Sequence, residues 1–310
     1  MTREEQIRTL CEKWIAQATA NDSIQISSQS EQYRLMRNGI HFHELNFSEL
    51  VTAGIGLTKI LLLKGMNTVV ASDHFHFWSW AAEVILETED CIFSNEEHEL
   101  RELFEMLIRS SLAGLRAPTN DPGYLALQQK ADDLTEFNAK QLILNRSLIT
   151  AYLGFPFLEG LCKKMASTYV DFSGKVIQEF SVHDKNIDRT YTVGSRCSNL
   201  GHLLYLLQDS VADRELSTCL SELYNHVEQF GHGEPGYEVI FNWRNASLHG
   251  ETSFPTIGGT LVSISTLICL YQLKDKFKDK QTRIMKRLQA KYRSSAISRH
   301  RAPWEFYPPY

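Results

Sequence analysis

The residues best suited to chemistry in this 310-residue chain lie between positions 241 and 250. Arg244 is charged at any working pH, and its planar fork of donors fits a phosphate. His249 is the side-chain type that exchanges a proton near neutrality, and Asn245 both donates and accepts hydrogen bonds. A proton-transferring group beside a permanent cation suits cleavage of an RNA phosphodiester. The proton-transferring group takes a proton from the 2′-hydroxyl or gives one to the 5′-oxygen, and the cation stabilises the developing charge.

The spacing of these residues sets a condition on the local structure. On a straight helix, five residues rotate the side-chain direction by about 140°. Arg244 and His249 therefore converge only if the helix ends between them. Gly250 follows at once, and glycine commonly closes a helix because it tolerates the left-handed conformation. We predict a helix that carries Arg244 in its last turns and His249 at its exit.

Arg244, Asn245 and His249, followed by Gly250, resemble the signature of the HEPN superfamily (higher eukaryotes and prokaryotes nucleotide-binding). The resemblance covers approximately residues 124–293. It implies an all-α domain that forms a homodimer, in which two copies of the motif face each other across one cleft. It further implies an endoribonuclease that needs no metal or other cofactor, and it fits toxin and anti-phage roles.

A function of a different class stays open beside this one. The same fold also serves as a non-catalytic module that binds nucleotides or proteins, and Arg244 and His249 would then be structural. Residues 1–120 would be the functional part, sensing a ligand or a regulatory partner such as an antitoxin. In a third interpretation this N-terminal part regulates a nuclease formed by the rest of the chain.

The charge distribution points to a polyanionic partner. The net charge is -5, but residues 271–301 alone hold eleven Lys or Arg and two Asp. Such asymmetry favours contact with RNA or with the acidic surface of a partner subunit. We predict that this segment binds the RNA backbone, which flexible cations contact without distinguishing bases. The predicted RNA-binding residues are Lys274, Lys278, Lys286, Arg287, Lys291 and Arg293.

Composition and cysteine usage indicate an ordinary globular protein of the cytoplasm. Apolar residues make up 43% of the chain, and the six cysteines show no CxxC spacing, which favours free thiols in a reducing compartment. The N-terminus is charged and unlike a signal peptide. The uncharged stretch 252–273 contains Gly, Pro, Ser and Thr, so we predict a buried bundle helix and no membrane span.

Periodicity predicts eight to ten helices and at most a trace of strand, placed at 23–28. The turn-forming residues 118–123 mark a boundary between an N-terminal accessory or sensor region, 1–120, and a HEPN-like domain, 121–310. We expect one long helix over 124–153, a break at Pro156, and a last helix over 260–293. Residues 181–197 lack a helical period and are expected to form a loop.

Other residues that could bind ligands are better explained by packing. His41/His43 and His74/His76 are spaced for metal binding on a strand, but the second pair is expected on a helix, where such side chains diverge. Trp78 and Trp80 could stack on bases, although large aromatic side chains usually fill cores. The remaining candidates are His226 and His232 near the motif and the aromatic, proline-rich tail 302–310, which either frays or docks on another surface.

Overall fold

The computed structural model describes residues 1–19, 31–63, 70–116, 119–185, 187–230, 234–248, 254–294 and 305–310. Within these ranges the chain forms twelve α-helices and one small antiparallel sheet, which confirms the all-α prediction with a trace of strand. The helices are α1 (Arg3–Thr19), α2 (Phe47–Leu61), α3 (Ser72–Leu86), α4 (His98–Leu112), α5 (Pro122–Leu134), α6 (Phe137–Leu144), α7 (Arg146–Met165), α8 (Leu200–Leu206), α9 (Arg214–Phe230), α10 (Gly236–Leu248), α11 (Phe254–Tyr271) and α12 (Phe277–Ser294). The strands are β1 (Phe180–Asp184) and β2 (Ile187–Tyr191).

Helix α11 is the central element of the fold. Every residue from Thr256 to Leu270 is buried, and the helix packs against α7, α2, α3 and α4. A Cβ at Gly258 would lie 3.1 Å from the Ala151 nitrogen and the Ser147 oxygen, so glycine lets α7 approach closely. Gly258 and Gly259 both lie inside this central helix.

The position of α11 bears on the membrane question. Among the described residues it is the one helix long and apolar enough to cross a membrane, and 83% of that segment is buried inside the protein. The prediction of a buried bundle helix for this stretch agrees with this placement.

One hydrophobic core crosses the boundary predicted at residue 120. The buried cluster runs from Ile7 on α1 to Phe306 near the C-terminus and includes residues of both predicted regions. Helix α4 packs on α7, and α11 packs on α2 and α3. Residues 1–120 and 121–310 are thus parts of one packed body, and the turn between them does not separate two cores.

The long helix predicted for 124–153 is three helices. Thr135 is extended between α5 and α6, with φ -76° and ψ 126°, and Asn145 (φ -95°, ψ 17°) separates α6 from α7. The break expected at Pro156 was also wrong, since α7 continues through it to Met165. Proline removes one helical hydrogen bond, and the buried side chains of Phe157 and Leu158 hold the turn in the core.

Two further expectations needed correction. The single helix expected over 260–293 is divided between α11 and α12 by a short 3-10 turn, Lys274–Lys276, flanked by the buried Leu273 and Phe277. The loop expected at 181–197 contains the β1–β2 hairpin, in which Phe180 pairs with Tyr191. The strand placed at 23–28 lies outside the described residues.

Capping boxes form at two helical starts. Thr2 with Glu5 and Ser94 with Glu97 form reciprocal hydrogen bonds. Asp73 does not cap a helix, because α3 already begins at Ser72. Its buried carboxylate instead accepts from the Leu35 N–H at 2.7 Å, and burial raises its pKa to about 6.

Candidate functional site

Helix α10 carries the motif, and packing at its N-terminal end fixes its position. It begins at Gly236, where a Cβ would lie 2.5 Å from the Tyr224 carbonyl oxygen, so only glycine fits against α9 there. Tyr237 and Ile240 are buried beneath it. The helix runs to Leu248 and therefore carries Arg244 in its last turns, as the sequence predicted, together with Asn245.

Arg244 is held by two partners on neighbouring elements. Its Nη1 lies 3.1 Å from the Glu159 Oε2 on α7 and donates to the Ser198 carbonyl at 3.4 Å. Its side chain remains 35% exposed, whereas that of Glu159 is 16% exposed. Glu159 also binds Lys163 at 2.7 Å. The Arg244 fork is therefore oriented from inside the protein while part of it faces solvent.

The structure describes Asn245 but not His249. Asn245 is exposed, and its side chain forms no hydrogen bond with any part of the chain that the structure describes. His249 and Gly250 lie outside the described residues, so their prediction stays a prediction. An oriented arginine beside an exposed amide, just before the His249 position, can bind a phosphate oxygen and a neighbouring polar group.

A buried polar chain fixes α10 against α8, and no sequence pattern indicated it. The Tyr191 hydroxyl and His202 Nδ1 are 2.8 Å apart, and His202 Nε2 lies 3.4 Å from Glu238 on α10. Burial raises the pKa of Tyr191, so its hydroxyl stays protonated. Since His202 is nearly enclosed, this chain positions the motif helix and offers no open reactive group.

The predicted RNA-binding residues fall into three groups. Lys274 pairs with Glu215 at 2.6 Å, and Arg287 pairs with the buried Glu83 at 2.6 Å. Lys278 and Lys286 are exposed and, in the described ranges, have no acidic partner. Lys291 and Arg293 belong to α12, but their side chains lie outside what the structure describes.

Much of the basic segment therefore binds acidic groups of its own chain. Lys280 is fully buried and contacts Glu87 at 3.2 Å, and Arg283 contacts the same carboxylate at 2.8 Å. Burial of Glu87 acts against its ionisation, but hydrogen bonds from Arg283 and Lys280 hold its pKa below the usual value. These contacts lie within one subunit, and the predicted contact with the acidic surface of a partner subunit stays a prediction.

The histidine pairs pack as the sequence pattern favoured. His74 lies on α3, and its Nε2 is 2.9 Å from the Leu57 carbonyl oxygen, while burial lowers its pKa to about 4. His43 Nδ1 lies 2.8 Å from the Tyr307 hydroxyl. In the part of the chain that the structure describes, no three His, Cys, Asp or Glu side chains form a group able to hold a metal ion.

The aromatic candidates are also part of the core. Trp78 and Trp80 are buried, so neither is open to a base. Of the tail, Phe306 is buried, and its N–H and that of Tyr307 donate to Glu83. Tyr307 and Tyr310 pack on His76. The tail thus docks on its own chain, and burial raises the pKa of Glu83.

Of the two histidines near the motif, His226 does not join the site. His226 Nε2 lies 2.9 Å from the Lys59 carbonyl oxygen, and His232 lies outside the described residues. Glu159 is the site residue that the sequence did not reveal. Its only local signal is the Glu-x3-Lys spacing with Lys163, which predicts a helix-surface pair and says nothing about Arg244.

Comparison with known proteins adds no relative. No family model matches the chain, and no curated protein and no solved structure matches it. The function is therefore inferred from the residues and their geometry.

Proposed function

We propose that this protein is a metal-independent endoribonuclease of HEPN type that acts as a homodimer. The observation that carries the proposal is that the last turns of α10 present two polar side chains. Arg244 is oriented and partly exposed, and Asn245 is exposed. In the sequence, His249 directly follows Leu248, the last residue of α10. A cation and a titratable imidazole are the groups that phosphodiester cleavage requires.

In the proposed reaction, the 2′-hydroxyl of a nucleotide attacks the adjacent phosphorus. His249 removes the proton from the hydroxyl or donates one to the leaving 5′-oxygen. Arg244 stabilises the charged phosphorane, and Asn245 orients a phosphate oxygen or the His249 ring. RNA is the substrate because only RNA carries the internal nucleophile. The products are a 2′,3′-cyclic phosphate and a 5′-hydroxyl.

The direct test is incubation of the purified protein with labelled RNA in EDTA. We expect cleavage, with cyclic phosphate at the new 3′ ends. Cleavage that appears only when Mg²⁺ is added would contradict the proposed mechanism and favour a metal-dependent nuclease.

The homodimer is supported by a pair of outer helices, α5 and α6, that bury no residue of their own. Their apolar side chains face outward, with Leu134 at 76% and Phe137 at 73% exposure. The exposed apolar residues here and on early α7 are Tyr124, Leu125, Leu127, Leu134, Phe137, Leu142, Ile143, Leu144, Leu148 and Tyr152. They expose on the order of 1,000 Å², compared with ~300–600 Å² for the largest patch of a monomer and ~800 Å² per partner in a stable interface.

This apolar surface reaches the motif helix. Tyr152 donates its hydroxyl hydrogen to the Ser247 carbonyl at 2.7 Å, three residues after Arg244. The outer helices also carry exposed charges of both signs, Lys130 and Lys140 beside Asp133 and Glu136. A second copy related by two-fold symmetry meets the same patch without net repulsion and brings its own motif helix close to the first.

Leu134→Glu combined with Phe137→Glu is expected to weaken dimerisation by more than about 100-fold. Each buried apolar side chain contributes ~1.5–3 kcal/mol, and two-fold symmetry counts each change twice. Sedimentation velocity over a range of concentrations measures the effect. The matched control is Phe172→Glu with Val193→Glu, which alters side chains of 55% and 66% exposure outside this surface. A wild-type protein that stays monomeric at all concentrations would refute the dimer.

RNA binding outside the cleft is assigned to the unpaired cations of the basic segment. Lys278→Gln with Lys286→Gln is expected to weaken RNA binding and to flatten its log–log salt slope by about 0.7 for each phosphate that is no longer neutralised. Gel-shift titrations at three salt concentrations measure both. Lys274→Gln is the control, because its charge is already matched by Glu215. A slope change as large in the control would exclude this assignment.

The non-catalytic binding module remains the second candidate, and one observation favours it. Arg244 forms an ion pair with Glu159, which would account for the arginine without any substrate. A regulatory partner or antitoxin would then act on the body shared by residues 1–120 and the rest of the chain. In either case we place the protein in the reducing cytoplasm, since all six cysteines are free and five of them are buried.

A further inference from the structure

A cavity of about 230 Å³ lies between α3, α4, α7 and α11. It joins elements from both halves of the sequence, and Pro255, in the first turn of α11, forms part of its wall. The lining residues are Val70, Phe75, Trp78, Ser111, Arg146, Ser147, Thr150, Pro255 and Gly259. Among the described residues, this lining contains one cation and no carboxylate.

Arg146 is the unusual residue of this cavity. Its guanidinium lies 5.4 Å from the centre of the Phe75 ring, and its Nη1 donates to the Ala113 carbonyl at 2.5 Å. In the described ranges it has no acidic partner, whereas the buried or half-buried Lys163, Lys280 and Arg287 each have one. Burial lowers the pKa of Arg146.

An arginine in this situation favours an anion. A guanidinium carries five N–H donors, and one hydrogen bond to a carbonyl leaves most of them available. Taking a cation out of water without a counter-charge is costly, so the fold maintains a site that an anion would stabilise. Phosphate suits the planar fork because two parallel hydrogen bonds can form.

The neighbouring groups define the rest of the ligand. Ser147 lines the cavity, and its hydroxyl forms no hydrogen bond with the described part of the protein. The hydroxyl of Thr150 is occupied, because it donates to the Arg146 carbonyl at 2.8 Å. Val70, Phe75 and Pro255, which are partly exposed, add an apolar wall. A volume below the ~300–1,000 Å³ of typical ligand pockets selects a compact molecule.

We propose that this cavity binds a nucleoside monophosphate, with the phosphate on Arg146 and Ser147 and the organic part against Val70, Phe75 and Pro255. Two sources share this chemistry and fit the site. One is a free mononucleotide, and the other is the 5′-phosphorylated end of an RNA. The site lies apart from Arg244, so binding does not depend on the ribonuclease proposal.

Calorimetric titration of the full chain with AMP, inorganic phosphate and adenosine tests the proposal. We expect AMP to bind more tightly than either part alone. Arg146→Gln is expected to weaken AMP binding by about 10- to 100-fold, the range for a lost hydrogen bond to a charged group. Arg101→Gln is the matched control, because Arg101 is also half-buried, also donates to a carbonyl, that of Leu86, and lies outside the cavity.

Equal AMP affinity in the wild type and in Arg146→Gln would overturn the site. Inorganic phosphate that binds as tightly as AMP would overturn the nucleoside part. If Arg146→Gln does not fold, Arg146→Lys and Ser147→Ala take its place, and each is expected to weaken AMP binding; unchanged affinity in both would overturn the proposal. A 5′-phosphorylated oligonucleotide that displaces AMP identifies an RNA end as the source, and one that does not identifies the free nucleotide.

Discussion

His249→Ala is expected to lower RNA cleavage in EDTA by about 10²–10⁴-fold, the usual loss when a positioned acid–base group is removed. Arg244→Ala is expected to lower it by about 10²–10³-fold, because a donor directed at the developing charge contributes mainly in the transition state. Asn245 is exposed, so Asn245→Ala should reduce turnover without a change in thermal stability. Initial rates at saturating RNA, measured beside thermal denaturation, give both quantities.

A substitution of Glu159 distinguishes a catalytic role of Arg244 from a structural role. If the ion pair only stabilises the fold, Arg244→Ala and Glu159→Gln should lose similar stability and keep similar activity per folded molecule. If Arg244 acts on phosphate, only Arg244→Ala loses the chemical step. Arg196→Ala controls for removal of an arginine, because Arg196 is exposed and donates to the Ser173 carbonyl. Wild-type rates in both His249→Ala and Arg244→Ala would exclude the catalytic assignment.

The sequence predicted those features of the site that depend on residues close together in the chain. The placement of Arg244 in the last turns of a helix could be predicted, because Gly250 signals a helix end within a few residues of it. The orientation of Arg244 could not be predicted, since Glu159 and Ser198 lie 85 and 46 residues away in the chain. Such contacts depend on tertiary packing, and no periodicity or spacing records them.

The sequence pattern also failed to place several helix boundaries. Residues 124–153 have an apolar repeat that suits one helix, yet the chain breaks at Thr135 and Asn145, whose backbone angles leave the helical region. Proline at 156 predicted a break that did not occur, because α7 is held on α4 and α11 by buried side chains. At Pro156, packing therefore outweighed the local preference of proline.

Lys280→Met is expected to lower the free energy of unfolding by about 3–5 kcal/mol, the cost of removing one partner from a buried ion pair. Lys280 is fully buried, and its Nζ lies 3.2 Å from Glu87 Oε2. It also donates to the carbonyls of Glu87, Glu89 and Asp90 at 3.1, 2.7 and 3.3 Å. Methionine has a similar length but no donor, so these acceptors lose their hydrogen bonds.

Lys276→Met is the matched control for this prediction. Lys276 lies one helical turn away in the same basic segment and pairs with Asp90 at 2.7 Å, but its side chain is 57% exposed. Exposed pairs contribute ~0.2–1 kcal/mol, so urea denaturation should separate the two variants by several-fold in lost stability. Equal losses would mean that the buried hydrogen bonds of Lys280 are not what holds α12 on α3. A Lys280→Met protein that remains folded should retain its salt slope for RNA, because this lysine faces Glu87 and not the solvent.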